Sequence, residues 1–218
     1  MSKNEDYINQ FVDVERRFTP NPVTIQKRAE GDDENEVTIV TGYAAKFNKR
    51  TKIGSWFEEE ILPGAFDDVL LDDVRCLKNH DANLVLARSN NGKGTLKLEV
   101  DEIGLKYTFS IPNRSVGRDL EDEIATGDIS QSSFAFTAEE VIWIDREDEV
   151  SIRQIKKVGQ LYDVSPVTYP AYQDTSIGKR AFDAHIANIE VKKPTQVDKN
   201  KRAFDVFDAQ YQLNKIKK

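Results

Sequence analysis

A chain of 218 residues with 39% hydrophobic and 32% charged residues has the length and composition of a soluble globular protein with one sizeable core and polar extensions. No apolar run approaches the ~20 residues that span a bilayer, and the N-terminus lacks the basic-then-apolar pattern of a signal peptide, so a cytoplasmic protein with no membrane role is expected. A lone cysteine, Cys76, cannot form an internal disulfide, and no zinc-spaced Cys/His cluster or phosphate-binding glycine loop occurs, so neither a metal nor a nucleotide cofactor is expected.

The net charge of −7 divides unevenly: residues 178–218 carry ten Lys or Arg against five Asp or Glu, which leaves −12 on residues 1–177. An acidic body argues against specific nucleic-acid binding, and a basic tail reads first as a solvated extension. Residues 1–35 show no sustained period and hold Thr19-Pro20-Asn21-Pro22 and the acidic run from Glu30 to Glu34, so they are expected to form a flexible or peripheral arm. The folded domain is expected over residues 36–177, followed by a basic, helical or disordered tail over 178–218.

Within the domain, Val37 to Ala44 is rich in β-branched residues and predicts a strand. Ile61 to Leu70, entered through Pro63, predicts a short helix. Strands are predicted at 74–79, 84–88, 94–100 and 104–111, with Gly104 suited to the turn between the last two. Ser115 to Thr126 predicts a helix with Ser115 as N-cap, Leu120, Ile124 and Ala125 on one face, and Gly127 as a left-handed stop. Strands at 129–143, 150–163 and 164–169 complete a mainly β, α+β architecture: a closed or highly curved antiparallel β-barrel with a few surrounding helices. Lys179-Arg180-Ala181-Phe182-Asp183 recurs as Lys201-Arg202-Ala203-Phe204-Asp205, and Lys27-Arg28-Ala29 is a shorter copy, so all copies flank the domain.

Two histidines occur, and His80 closes the run Val74 to Asp81; acid–base chemistry near neutral pH would fall first to that imidazole. In Gly127 to Phe136, strand alternation puts Ser132, Phe134 and Phe136 on the core face and turns Ser133 toward a groove, the better station for a nucleophile. Asp163 interrupts an apolar run, where a charge is costly unless paired. Each has a bland reading: His80 as a turn residue whose ring Asp81 satisfies, Ser133 as a structural serine, Asp163 as a cap before Ser165-Pro166. Cys76 reads as core rather than as a thiol nucleophile.

Taken together, Gly42-Tyr43-Ala44-Ala45-Lys46-Phe47-Asn48, Ile61-Leu62-Pro63-Gly64-Ala65-Phe66, Asn79-His80-Asp81, Ser133-Phe134-Ala135-Phe136 and the run Asp163 to Tyr172 resemble, in order and spacing, the prohead (capsid maturation) serine proteases of tailed phages. The resemblance covers roughly residues 37–175 and implies a fold similar to that of herpesvirus assemblins. It implies Ser133 as nucleophile, His80 as general base and Asp163 as the orienting acid; His185, in the place of the second histidine of the herpesvirus enzymes, ranks below Asp163. It further implies a serine endopeptidase acting inside the assembling prohead, in the cytoplasm of an infected bacterium. Its peptide substrates would be capsid and scaffolding proteins and the chain itself; the Lys-Arg-Ala copies read equally as self-cleavage sites and as a repeated docking motif or chance similarity in a short, basic tail. The oligomeric state stays open, a homo-oligomer included. A non-enzymatic scaffold or capsid-assembly protein is the rival reading, and it expects Ser133, His80 and Asp163 to lie far apart.

Overall fold

The computed structural model describes residues 13–19, 22–29, 36–147, 149–169 and 175–192. In chain order the strands are β1 (Glu15–Thr19), β2 (Thr24–Ala29), β3 (Glu36–Lys46), β4 (Thr51–Ile53), β5 (Phe57–Ile61), β6 (Val74–Leu77), β7 (Val85–Asn90), β8 (Lys93–Gly94), β9 (Leu96–Val100) and β10 (Gly104–Ser110). Helix α1 (Ser115–Thr126) leads into β11 (Gln131–Ile144) and β12 (Ser151–Val167), and α2 (Thr175–Lys192) follows. The chain divides into two compact units, residues 1–179 and 180–218.

The strands of the first unit form two sheets, not a closed barrel. One has the order β1-β11-β12-β6-β7-β8, with β5 also on β12 and β4 on β5; the other has the order β2-β3-β10-β9. Neither closes on itself among the described residues, and the pairing is not purely antiparallel: β12 runs parallel to β5 along residues 151–155 and to β6 at Asp163 and Val164. Parallel neighbours need a crossover rather than a hairpin. That crossover was invisible in a strand count because β4 and β5, with Glu58, Glu59 and Glu60 in the run Phe57–Ile61, carry no apolar alternation.

Other expectations change for local reasons. Residues 62–72 form successive i→i+3 turns rather than a helix, with Ala65, Asp67, Val69 and Asp72 each donating three residues back and Gly64 at φ 86°. Helix α1 begins after Arg114, in extended conformation, so Ser115 is its first residue and not its cap; Gly127 ends it at φ 85° as expected. The segments 150–163 and 164–169 merge into the single strand β12 through Pro166, whose carbonyl accepts the Asn79 N–H.

The two sheets enclose one core built around Phe66, Phe134, Phe136, Tyr107, Leu105, Leu120 and Leu161. Gly42 has a clear role in it: a Cβ there would lie 2.5 Å from the Tyr107 hydroxyl, so glycine leaves room for the ring on the neighbouring strand. Tyr107 in turn meets Ser132 at 2.8 Å, which satisfies both buried hydroxyls.

Within the N-terminal segment, the described residues 15–19 and 24–29 are paired into the sheets. Strand β1 lies antiparallel on β11 and β2 lies antiparallel on β3, each at a sheet edge. What fixes β1 is a buried charge network. Arg17 bonds Glu59 at 2.6 and 2.9 Å and Glu15 at 2.5 Å, while Arg153 bonds Glu15 at 2.6 and 2.8 Å and Glu59 at 2.7 Å. Two cations and two anions, all with side chains at most 7% exposed, cancel one another. Burial opposes the ionised Glu15, but the Arg153 hydrogen bond and the charges of Arg17 and Arg153 outweigh it and hold its carboxyl below the ordinary 4.5.

Removing one member of such a set leaves an uncompensated buried charge. Arg153→Met is expected to destabilise the protein by about 3–5 kcal/mol in urea unfolding. Because the folded value of Glu15 is depressed, its contribution is present above the unfolded value of 4.5 and is lost as the pH falls through the folded one. The urea midpoint of the unaltered chain should therefore drop more steeply below about pH 4.5 than that of a Glu15→Gln variant.

Candidate active site

Antiparallel pairing of β11 with β12 sets Ser133 opposite Ser165 and Ala135 opposite Asp163. Directly paired residues share a face, so Ser133, Ser165 and Asp163 all project from the side of the sheet opposite to Phe134. His80 reaches the same face from the turn after β6, the strand beside β12. Both Asn79 and His80 adopt left-handed backbone, at φ 54° and 59°, a conformation that costs a non-glycine residue of order 1 kcal/mol and is held only by its surroundings.

Asn79 supplies the hold. Its N–H donates to Pro166 O at 3.1 Å, its Oδ1 accepts from Thr168 N at 2.9 Å, and its Nδ2 donates to Thr168 Oγ1 at 3.2 Å. Lys78 and Asp81 close the turn through Leu84 O and Lys78 O. Asp81 does not serve the ring: its carboxylate accepts from Asn83, as in an Asx turn.

The imidazole joins the other two residues into one row. His80 Nε2 lies 2.6 Å from Ser133 Oγ, and His80 Nδ1 lies 2.6 Å from Asp163 Oδ1. The Nδ1 partner is therefore Asp163 and not a second histidine. Ser165, which the sequence reading passed over, donates its hydroxyl to Asp163 Oδ1 at 2.6 Å and lies 3.3 Å from His80 Nδ1. The signal for it was present: Asp163 and Ser165 are two apart in a strand, hence on one face. A carboxylate 6% exposed that accepts from both an imidazole and a hydroxyl meets the condition under which a buried charge is tolerated.

Ser133 differs from expectation in one respect. It does not face an open groove but is fully buried, as are all residues from Ser132 to Phe136. Strand β1 runs along its edge, with Phe18 directly opposite, and the Ser133 hydroxyl is within donating distance of Arg17 O, at 2.9 Å. Cys76 is a core residue, completely buried; burial, and then the Asp163 charge, push its thiol well up, away from nucleophile character.

The turn makes the placement of His80 testable apart from the chemistry. Asn79→Ala keeps an unfavourable left-handed residue and loses both side-chain bonds to Thr168, so it is expected to cost about 1–3 kcal/mol in urea unfolding. If the turn positions the ring, hydrolytic activity should fall at least tenfold with little change in KM, and Asn79→Gly should retain more activity than Asn79→Ala.

Comparison with curated protein sequences gives no match. Among solved structures, that of the bacteriophage T4 capsid assembly protease, gp21, is similar with a TM-score of 0.46 and 9% identity, over 71% of this chain and 97% of that one. Residues 24–189 match the caudovirus prohead serine protease family, which takes in β2 to β12 together with the segments bearing His80, Ser133 and Asp163. The chain belongs to the caudovirus prohead serine protease family.

Proposed function

We propose that this protein is a serine endopeptidase of phage capsid maturation in which Ser133 is the nucleophile, His80 the general base and acid, and Asp163 the group that orients the imidazole. The observation that carries the reading is the unbroken row from Ser133 Oγ through both ring nitrogens of His80 to Asp163 Oδ1, with 2.6 Å at each step. This is the arrangement a hydroxyl needs in order to become a nucleophile at neutral pH.

In the forward step Ser133 Oγ bonds to the carbonyl carbon of a peptide, its proton passes to His80 Nε2, and the carbonyl electrons move onto oxygen. When the tetrahedral intermediate collapses, the C–N bond breaks and His80 delivers that proton to the leaving amine. Water then repeats the sequence on the ester and releases Ser133. Asp163 keeps a hydrogen on Nδ1, which leaves Nε2 free to accept, and its negative charge stabilises the imidazolium between the steps. The Ser165 hydroxyl fixes the carboxylate oxygen that faces the ring.

Membership of the family supports capsid and scaffolding proteins as the substrates, and action inside the assembling prohead in the bacterial cytoplasm. The Lys-Arg-Ala copies remain candidate self-cleavage sites. Lys27-Arg28-Ala29 lies in β2, Lys179-Arg180-Ala181 lies in α2, and Lys201-Arg202-Ala203 falls outside the described residues. The strand is already hydrogen-bonded to its neighbour and the helix is not extended, so cutting at the first two requires local unfolding.

Ser133→Ala is expected to abolish cleavage of capsid and scaffolding protein and labelling by a fluorophosphonate, while its urea midpoint falls by no more than the equivalent of about 1–2 kcal/mol. Asp163→Asn should retain the fold and lose most of the rate. Undiminished proteolysis by Ser133→Ala would remove the assignment, and a chain that neither cleaves nor labels would favour a non-enzymatic assembly role.

A further inference from the structure

We propose that β1 stands in the place of a peptide substrate on the edge of β11, and that Glu59 and Arg153 form the subsite that reads that peptide. The subsite takes a basic side chain on the acyl side of the cut bond and an acidic side chain two residues before it. The proposal rests on the serine peptidase reading above and adds to it how the peptide lies and which residues select it.

The backbone argument comes first. Strand β1 is the outermost strand of its sheet, antiparallel to β11 in the register Arg17 opposite Phe134 and Phe18 opposite Ser133. Without it, the nucleophile's own strand would present a free edge, the usual acceptor for an extended peptide. The Arg17 carbonyl oxygen lies 2.9 Å from Ser133 Oγ, so the Arg17–Phe18 peptide bond sits beside the nucleophile.

This occupancy is also a closed state. Ser133 has one hydroxyl hydrogen and two acceptors in reach, Arg17 O and His80 Nε2. A hydrogen directed at Arg17 O is not directed at His80 Nε2, the atom that must receive it before Ser133 can attack. The strand thus competes with the imidazole for the serine hydrogen, and Ser133 beneath it is completely buried.

The side chains supply the selectivity. Alternation sends Glu15 and Arg17 to the face opposite Ser133, where Arg17 stacks 5.8 Å over the Phe136 ring and meets Glu59, while Glu15 meets Arg153. With β1 lifted, Glu59 Oε2 and Arg153 Nη1 still pair at 2.7 Å. Glu59 Oε1 and Arg153 Nη2 lose the partners that β1 supplies, one an acceptor for a cation and the other a donor for a carboxylate. A cleft lined by Arg17, Phe18, Lys46, Lys49, Glu59 and Glu60 opens beside this pair. The residues matching the family begin at 24, after β1, so the segment that closes the site lies before the shared region.

The test uses the full chain with Glu15→Ala and Arg17→Ala together, which removes one anion and one cation and leaves Glu59 and Arg153 paired. Fluorophosphonate labelling of Ser133 should be at least tenfold faster than in the unaltered chain. The heptapeptide Asp13–Thr19, added to this variant, should slow the labelling, and the same peptide with alanine for Glu15 and Arg17 should need at least tenfold more to do so. Adding Glu59→Gln should erase the preference for arginine. Unchanged labelling, or equal protection by both peptides, overturns the subsite, yet any labelling of Ser133 leaves the peptidase reading standing; no labelling in either chain overturns both. Should the double variant not fold, the unaltered chain in mild urea decides: labelling should rise in step with amide exchange over 15–19 while residues 151–167 stay protected. Fast labelling with 15–19 fully protected overturns the proposal.

Discussion

The pairing of β11 with β12 is the constraint from which the site follows. Adjacent antiparallel strands hold directly opposed residues about 5 Å apart on a common face, and here those residues are Ser133 with Ser165 and Ala135 with Asp163. A slip of one residue would turn Ser133 into the core and Phe134 toward His80. The large rings of Phe134 and Phe136, both completely buried, forbid that slip, so the hydrophobic packing on one face fixes the polar geometry on the other.

Electrostatics divides in the same way across the sheet. On one face a single carboxylate, Asp163, is tolerated because an imidazole and a hydroxyl satisfy it. On the other, Glu15, Arg17, Glu59 and Arg153 neutralise one another in the interior, where each would be prohibitive alone. Apolar residues of similar volume would hold β1 to the sheet at least as well. A charged set has another property: its members can exchange partners of the same sign, which a packed apolar contact does not discriminate. That distinction is what makes the edge of β11 suited to selecting a peptide and not only to closing a core.

His80 shows how much strain such a site accepts. Consecutive left-handed residues at 79 and 80 are unfavourable in isolation, yet they bring the ring across from β6 to β12 within the span of one turn. Asn79, one of the few residue types that tolerate this backbone, also ties the turn to Thr168. The same residue thus relieves the strain it occupies and fixes where the imidazole points.

By itself the sequence determined the strand character within 37–44, 104–110 and 131–143 and the α1 stop at Gly127, and it singled out His80, Ser133 and Asp163 as candidates, because these are read from local alternation, from glycine's freedom and from motifs in fixed order. Local signals end there. The parallel contacts of β5 and β6 with β12, the merging of two expected strands into one, the opening of the expected barrel into two sheets, and the docking of β1 over Ser133 all pair residues distant in the chain. Glu15, Arg17, Glu59 and Arg153 look like ordinary surface charges in a sequence, since the burial that makes them a network exists only once their partners, up to 138 positions away, have arrived. Tertiary structure alone decided that, because neutralising a buried charge depends on distance in space and leaves no period along the chain.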